Sequence, residues 1–224
     1  RFTIMSKGFS NSSVGRKVLM ALSGFFLISF LILHFVINFL SVFSEGIFNM
    51  ASHFMGTNWI IQFIMQPVLL FGVLFHLGMG IYLELKNKAA RPVKYHGANK
   101  TGGSFLSKNM IYTGLVVLLF MALHLYDFWW HEISVKYIHG EAQDPTRYMP
   151  ELIEKFKKPV RVLIYIVSFV FLGLHTNHGF QSAFQSVGAN HPKYTPMIKK
   201  IGFVFSVVIP AGFVVIALYH FLIS

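Results

Sequence analysis

Cysteine is absent from this sequence of 224 residues. The absence excludes disulfides, cysteine-ligated zinc, cysteine-held iron–sulfur clusters and thioether-attached haem from the chain itself. Any metal bound here must therefore rest on histidine or oxygen ligands, and the sequence offers 11 histidines.

Charge is scarce, and negative charge is scarcest. Charged residues make up 12% of the chain, which is about half of the roughly 25% found in average soluble domains. Only 8 acidic residues stand against 19 Lys and Arg, so the formal net charge is +11, whereas 54% of the residues are hydrophobic. This composition excludes a disordered chain and an ordinary soluble enzyme. A basic balance would suggest nucleic acid in a soluble protein, but here the hydrophobicity indicates a membrane, and we expect no nucleic-acid partner.

Five apolar runs are each long enough to cross a bilayer, which needs roughly 20 residues of helix. They lie near 18–43, 59–85, 109–130, 160–186 and 201–223. The first run is too long for a cleavable signal peptide, and no small-x-small cleavage site follows it. The predicted fold class is an all-α, integral membrane bundle of five helices, with residues 1–224 as a single domain. We expect the long connection 131–159 to fold back as an external helical cap.

Loop charge predicts the orientation, because Lys and Arg are enriched on the cytoplasmic side of membrane proteins. The N-terminal segment and the second and fourth connections carry 13 Lys and Arg, against 6 on the other side. The N-terminus is therefore expected in the cytoplasm and the C-terminus outside.

Four of the runs carry a histidine deep inside: His34, His76, His124 and His175. A rise of about 1.5 Å per residue places His34 and His124 about 24 and 22 Å from the inner ends of their runs. The same rise places His76 and His175 about 14 and 17 Å from theirs. The depths therefore predict two pairs, His34 with His124 and His76 with His175. The alternative for any one of them is a neutral histidine bonded to a neighbouring helix.

Two imidazoles that face each other across a bundle are typical of a low-spin b haem, which then has no open position for oxygen or substrate. Gly72 and Gly80 share a face with His76, and Gly179 shares one with His175, which would leave room for a flat macrocycle. A small-residue helix contact explains the glycines equally well. A histidine-based proton or metal transporter, a purely structural anchor and a zinc site are the rivals, although zinc needs four convergent ligands. Of the other seven histidines, His178 is expected to be packed or hydrogen-bonded, and the remaining six mostly interfacial or solvated.

One histidine on each of the first four of five helices forms an ordered set. Ser23-Gly24 leads to Leu33-His34-Phe35, and then come His76-x-x-x-Gly80, His124-Leu125-Tyr126 and His175-x-x-x-Gly179. This set resembles the dihaem cytochrome b subunit of succinate:quinone oxidoreductases, the succinate dehydrogenase and fumarate reductase family, in its single-anchor type. The cytochrome b anchors of hydrogenase and nitrate reductase are the runner-up.

The resemblance implies an electron-transfer subunit in the bacterial cytoplasmic membrane, surrounded by lipid. Its partners would be a flavoprotein with covalently bound FAD and an iron–sulfur subunit, so that no succinate chemistry belongs to this chain. Two b haems would serve as cofactors, a proximal one between His76 and His175 and a distal one between His34 and His124. Quinone would exchange electrons with them, menaquinone being the commoner partner among similar proteins. Some fumarate reductases of the family carry a glutamate where this chain has Gly173, which favours succinate oxidation here.

Two further sets of residues are candidates for contacts with these groups. Haem propionates need basic or hydroxyl partners near a membrane face, and the reachable ones are Arg16, Lys17, Ser23 and Gln181. Their alternative roles are interfacial anchoring and helix packing. A quinone needs hydrogen-bonding groups at its carbonyls, and polar residues crowd the outer end at Glu45, His53, Asp127 and His131, with Trp130 and Glu132 beside them. An aromatic belt with polar neighbours would have the same sequence.

Overall fold

The computed structural model describes residues 12–90, 110–140 and 144–224, and all of its regular elements are helices. The described residues form seven helices. They are α1 (Ser13–Val42, whose last turn is a 3₁₀ turn), α2 (Glu45–Thr57), α3 (Ile61–Ala89), α4 (Met110–Ile138), α5 (Tyr148–Phe156), α6 (Pro159–Ser186) and α7 (Thr195–Leu222).

Five of these helices, α1, α3, α4, α6 and α7, are long and apolar enough to span a membrane. The chain is therefore an all-α, multi-pass membrane protein with five candidate spans. We call the side that holds α2 and α5 the cap end, and the side that holds the start of α1 and the start of α7 the loop end.

The spans are longer than the apolar runs that predicted them. α1 begins at Ser13 because the Ser12 hydroxyl accepts the Gly15 backbone N–H at 2.8 Å and caps the helix. α4 continues past residue 130 to Ile138 through two π-helical segments, Leu125–Trp130 and Ser134–Ile138. Hydropathy marks only the part of a helix that lies in lipid, so helical turns beyond it escape a prediction from apolar runs. The predicted start of the third run at 109 lies outside the described residues.

Four spans form a ring in the order α1, α3, α4, α6, and α7 packs outside it against α6 and α1. In this ring, α1 and α4 face each other across one diagonal, and α3 and α6 across the other. The aromatic-rich core lies toward the cap end, where Tyr165 and Phe169 of α6 meet Phe213 of α7 and Phe120 of α4. The contact between α3 and α4 is the weakest side of the ring.

The closest backbone approach joins α6 to α7 at Gly173. Pro210 has no N–H, so the Ser206 carbonyl four residues earlier lacks its usual partner in the helix. A Cβ atom on Gly173 would lie 2.8 Å from that carbonyl oxygen. The absence of a side chain therefore lets the α6 backbone cover an exposed carbonyl, which lipid could not satisfy.

The cap consists of α2 and α5, and α5 confirms a helix within the expected cap region. Met149, Leu152 and Phe156 are the buried side of α5. Asn49 of α2 ties the two helices together, because its side chain accepts the Met149 N–H at 2.8 Å and donates to the Thr146 carbonyl at 3.1 Å. α2 was not predicted, because it is too short to span a membrane and lies between two of the apolar runs.

Ion pairs fix the cap to α4. Glu132 of α4 pairs with both Lys136 and Arg147, and Arg147 also donates to Glu151 at 2.8 and 3.0 Å. Burial lowers the pKa of Arg147, but the hydrogen bonds of Glu132 and Glu151 raise it by more, so that it stays charged. The neighbouring Tyr148 ring is under the Arg147 guanidinium at 4.4 Å, and burial together with Glu132 raises the pKa of its hydroxyl to about 12.

Candidate functional site

The two histidines nearer the cap end, His34 of α1 and His124 of α4, are in ring contact. Their centroids lie 5.6 Å apart and the ring planes are nearly perpendicular, at 88°. Aromatic side chains surround the pair: Phe30, Phe120, Phe128, Tyr165 and Phe213 all have centroids between 5.2 and 6.3 Å from one of the two rings. We call His34 and His124 the cap-end pair.

His76 of α3 and His175 of α6 form the second contact, the loop-end pair. Their centroids lie 6.4 Å apart at an interplanar angle of 76°. Glycines of the neighbouring helices lie beside both rings: a Cβ on Gly24 would be 3.7 Å from Cε1 of His76, and a Cβ on Gly114 would be 3.4 Å from Cε1 of His175. Larger side chains at either glycine would push against the imidazoles.

Each pair lies across a diagonal of the four-helix ring, and the pairs lie at separate depths. Gly24 and Gly114 are beside the loop-end pair, and each precedes the cap-end histidine of its own helix by ten residues. At 1.5 Å per residue, both helices therefore place the two levels about 15 Å apart. The structure thus brings together both pairs that the sequence predicted. Their role as haem ligands stays a prediction.

Hydrogen-bond partners of the loop-end pair are compatible with one particular tautomer of the imidazoles. The Ser23 hydroxyl lies 2.8 Å from the Met20 carbonyl and 2.9 Å from Nδ1 of His76. When its one proton is donated to the carbonyl, Nδ1–H of the imidazole is the donor in the second contact. Thr113 repeats the arrangement, since its hydroxyl donates to the Met110 carbonyl at 2.9 Å and lies 3.4 Å from Nδ1 of His175. Both assignments leave Nε2 with a free lone pair, which is the form that binds a metal.

The cap-end pair has different partners. The Asn38 amide donates to the His34 carbonyl at 2.8 Å and lies 3.4 Å from Nδ1 of the same residue. Nδ1 of His124 is buried and has no hydrogen-bond partner among the described residues. The sequence did not indicate Thr113, Gly114 or Asn38 as members of the site. The equal spacing of ten residues from Gly24 to His34 and from Gly114 to His124 was the signal available.

The glycines that we expected to make room for a macrocycle contact other side chains. A Cβ on Gly72 would be 2.6 Å from the Phe26 ring. One on Gly80 would meet Met20 at 3.5 Å, and one on Gly179 would meet Met110 at 3.7 Å. Gly72 therefore lies in a close contact between α3 and α1, whereas Gly80 and Gly179 are at ordinary contact distance. Their role in making room for a macrocycle stays a prediction.

Each pair supplies the two imidazole donors of an axially ligated haem, and the loop-end pair alone also has the ring separation that such ligation requires. Two imidazoles on one metal, each with a metal–nitrogen distance of about 2.0 Å, would have centroids about 6.3 Å apart. The loop-end pair is at that separation and the cap-end pair is somewhat closer. Within the described parts of the chain, no group of three or more His, Asp or Glu side chains could hold a metal ion. Two histidine ligands at each depth suit a haem, because its porphyrin supplies the other four ligands of the iron. They do not suit tetrahedral zinc, which needs four ligands of its own.

The predicted propionate contacts are spread over the loop end. Arg16 has a buried Nε without a hydrogen-bond partner, and its guanidinium is 5.7 Å from the Tyr82 ring. Lys17 is exposed, and Gln181 donates to Asn177 at 3.2 Å. Ser23 contacts His76 directly, so it supports the imidazole in this structure. Of the four, Arg16 is the one with a buried donor that has no partner among the described residues.

The four predicted quinone contacts have different surroundings, and their role at a quinone stays a prediction. Asp127 is fully buried, where it pairs with Arg161 and accepts the Tyr165 hydroxyl at 2.8 Å. His131 lies 3.4 Å from Glu151 in the cap. Glu45 is exposed in the first turn of α2, and His53 follows eight residues later, about 12 Å along the helix.

A shallow cleft of about 430 Å³ adjoins one of those four residues. It lies between α2 and the turn before α5 and is lined by His53, Asn49, Met50, Phe54 and Thr146, among others. Nδ1 of His53 is buried and unpartnered within the described residues. The ring of His53 is also 6.2 Å from that of Tyr148.

One expectation about the remaining histidines was wrong. We expected His220 to be interfacial or solvated, but it is fully buried in α7 and contacts Ser41 of α1 at 2.8 Å. Position near the end of a span indicated an interface, whereas the neighbouring helix covers the residue.

Comparisons with protein-family models, with curated proteins and with solved structures find no match to this chain. The class that the fold defines is therefore the multi-pass, all-α membrane protein with five candidate spans. Its two histidine pairs are the feature from which a function can be argued.

Proposed function

We propose that this chain is the dihaem cytochrome b membrane anchor of a succinate:quinone oxidoreductase. The observation that carries the proposal is the presence of two histidine contacts at two depths, each across a diagonal of the four-helix ring. The loop-end pair would hold one b haem and the cap-end pair the other. Bis-imidazole ligation leaves no open position on the iron, so the chemistry such a group supplies is electron transfer.

The chain's own residues prepare each level differently. Ser23 and Thr113 accept from the Nδ1–H groups of the loop-end pair, which fixes the ring orientations and leaves Nε2 available. At the cap-end pair, the rings of Phe30, Phe120 and Phe128 pack against the imidazoles. Arg16 offers a buried, unused donor to an anionic group near the loop end.

Partners follow from the same proposal. An iron–sulfur subunit docks at the loop end, which faces the cytoplasm, and a flavoprotein with covalent FAD carries the succinate chemistry. Lys86, Lys88 and Lys199 are exposed at the loop end and fit an acidic docking surface, although positive charge on that side also follows from membrane insertion alone. Quinone, menaquinone in our proposal, receives the electrons in the bacterial cytoplasmic membrane.

Succinate oxidation is the direction we favour. A carboxylate relay at position 173 is absent, and the contact of Gly173 with the Ser206 carbonyl leaves no space there for any side chain.

The test is haem stoichiometry. Purified wild-type chain is analysed by a reduced-minus-oxidised spectrum and by pyridine haemochrome, and we expect two b haems per chain. His34→Ala and His76→Ala should each bring the content toward one. His191→Ala is the control, because His191 is exposed at the loop end and belongs to neither pair. Circular dichroism on every sample establishes that the helices are intact.

Two results would overturn parts of the proposal separately. A folded wild-type chain without haem removes the cytochrome assignment and leaves a histidine-based transporter or a structural anchor. If haem is present, membranes that contain the complex are given succinate or hydrogen, and reduction of the b haems is followed. Reduction by hydrogen and not by succinate would assign the chain to another respiratory dehydrogenase.

A further inference from the structure

Two half-buried glycines beside the loop-end pair, Gly24 of α1 and Gly114 of α4, are not required by helix packing. A Cβ on Gly72 or Gly173 would come within 2.6 or 2.8 Å of a neighbouring group. A Cβ on Gly24 or Gly114 would meet its nearest neighbour at 3.7 or 3.4 Å, which is ordinary contact. Glycine destabilises the interior of a helix relative to alanine. Both positions therefore hold the poorer helix former although the helices have room for a methyl group.

Each of these glycines follows a hydroxyl residue that contacts the same imidazole. The Ser23 hydroxyl lies 2.9 Å from Nδ1 of His76, and a Cβ on Gly24 would lie 3.7 Å from Cε1 of that ring. On α4, Thr113 lies 3.4 Å from Nδ1 of His175, and the glycine that follows it lies beside Cε1 of that ring. Cε1 is the carbon bonded to both ring nitrogens. The two dipeptides thus contact Nδ1 and leave the space beside Cε1 without a side chain.

The four-helix ring determines which helices would border a planar ligand of the loop-end pair. His76 and His175 face each other along the diagonal from α3 to α6. A macrocycle whose iron is bound by both imidazoles lies across that line, because its own four nitrogen ligands are perpendicular to the axial ones. Its edges would therefore point to α1 and α4, the helices that carry Gly24 and Gly114.

The cap-end pair has a different neighbour on α6. Tyr165 precedes His175 by ten residues, which is the spacing that separates the two levels on α1 and α4. Its ring is 6.3 Å from the His124 imidazole, and the residue is 2% exposed. A bulky side chain therefore lies beside an imidazole at the cap end, whereas glycines lie beside the imidazoles at the loop end.

We infer that Gly24 and Gly114 are binding-site residues for the cofactor of the loop-end pair. Their missing side chains leave space for the edges of a flat macrocycle between α1 and α4, while His76 and His175 supply the axial ligands. The inference rests on the proposed function, because only a planar group bound by both imidazoles needs this space. The space is thus provided by the two helices of the ring that carry no ligand at this level.

Alanine is the informative substitution, because its Cβ would meet the imidazoles only at ordinary contact distance and the fold itself should tolerate it. Gly24→Ala and Gly114→Ala are made in the full-length chain with His34→Ala, so that the loop-end pair alone is intact. Gly78→Ala is the matched control, since a Cβ there would meet nothing within 4 Å. Haem affinity is measured by titrating the haem-free chain with haem. The stability of the haem-free chain is measured by SDS titration in dodecylmaltoside.

We expect Gly24→Ala and Gly114→Ala each to weaken haem binding about 5–150-fold, which corresponds to the usual range of overpacking penalties. The haem-free variants should be at least as stable as their parent, and Gly78→Ala should leave haem affinity unchanged. Unchanged affinity in both glycine variants would overturn the role of the glycines and leave the histidine assignment intact. Weaker affinity with an equal loss of stability in the haem-free chain would also overturn that role, because the glycines would then serve the fold. If a folded wild type takes up no haem, the proposed function fails and this inference fails with it.

Discussion

Gly173→Ala should loosen the contact between α6 and α7. The added Cβ would lie 2.8 Å from the Ser206 carbonyl oxygen, about 0.6 Å short of the 3.4 Å at which ordinary contact begins. Because the opposing atom is backbone, no side chain can rotate away, and the two helices must separate. Such overpacking costs about 1–3 kcal/mol, and the better helix propensity of alanine offsets at most about 0.5–1 kcal/mol of it. We expect a net destabilisation of about 1–2 kcal/mol.

Gly78→Ala is the matched control for this change. Gly78 is also a helical glycine inside a span, but a Cβ there would meet nothing within 4 Å. Its substitution should be neutral or stabilising by up to about 1 kcal/mol. Both variants can be measured by titrating dodecylmaltoside-solubilised protein with SDS while following tryptophan fluorescence. Equal transitions for the two variants, or a Gly173→Ala variant as stable as wild type, would refute the close approach of α6 to the Ser206 carbonyl.

Three further predictions follow from contacts described above. Ser23→Ala removes the acceptor of His76 Nδ1–H and should weaken haem binding at the loop-end pair by about 10–100-fold. Haem titration of the His34→Ala background measures this, because only the loop-end pair is then intact. Unchanged affinity would contradict Nδ1–H of His76 as the donor. Arg161→Met leaves the Asp127 carboxylate buried without its cation and should destabilise the fold by about 3–5 kcal/mol. Arg161→Met combined with Asp127→Asn should recover part of that loss. If the single variant is at least as stable as the double variant, the buried ion pair is contradicted. The Tyr148 hydroxyl should ionise near pH 12 in the folded chain instead of 10.0, so the stability that its neutral form provides is present below pH 10 and is lost as pH rises toward 12. The difference in tyrosinate absorbance between wild type and Tyr148→Phe isolates the ionisation of this hydroxyl. Ionisation near pH 10 would show that the cap does not bury this ring.

The five spans could be predicted because the bilayer imposes one requirement, a helix of sufficient apolar length. The two histidine pairs could be predicted as well, because a fixed rise per residue and alternating helix directions convert sequence positions into depths. Neither rule states how far a helix is rotated about its axis. The partners that depend on rotation, such as Thr113 beside His175 and Asn38 beside His34, were therefore not predicted.

Polar residues near the ends of spans were the least predictable. Asp127 stands next to Trp129 and Trp130, a pattern typical of a membrane interface, yet it is fully buried against Arg161. The π-helical segment Leu125–Trp130 extends α4 at this point, so position along the run did not give the surroundings of the side chain. Ion pairs between residues as distant in sequence as Asp127 and Arg161 depend on which helices become neighbours, and the ring order supplies that information.

The two diagonal contacts are interleaved along the chain: His34 precedes His76, and their partners His124 and His175 follow in the same order. A single cut between α3 and α4 would consequently divide both contacts at once, leaving one member of each on either fragment. Neither fragment could assemble a complete pair by folding alone, and both pairs would form together when the fragments meet. Co-expressed halves of this chain would thus regain their paired imidazoles only as a non-covalent dimer. Recovery of the two pairs would therefore show that the two sets of helices had assembled in the bilayer.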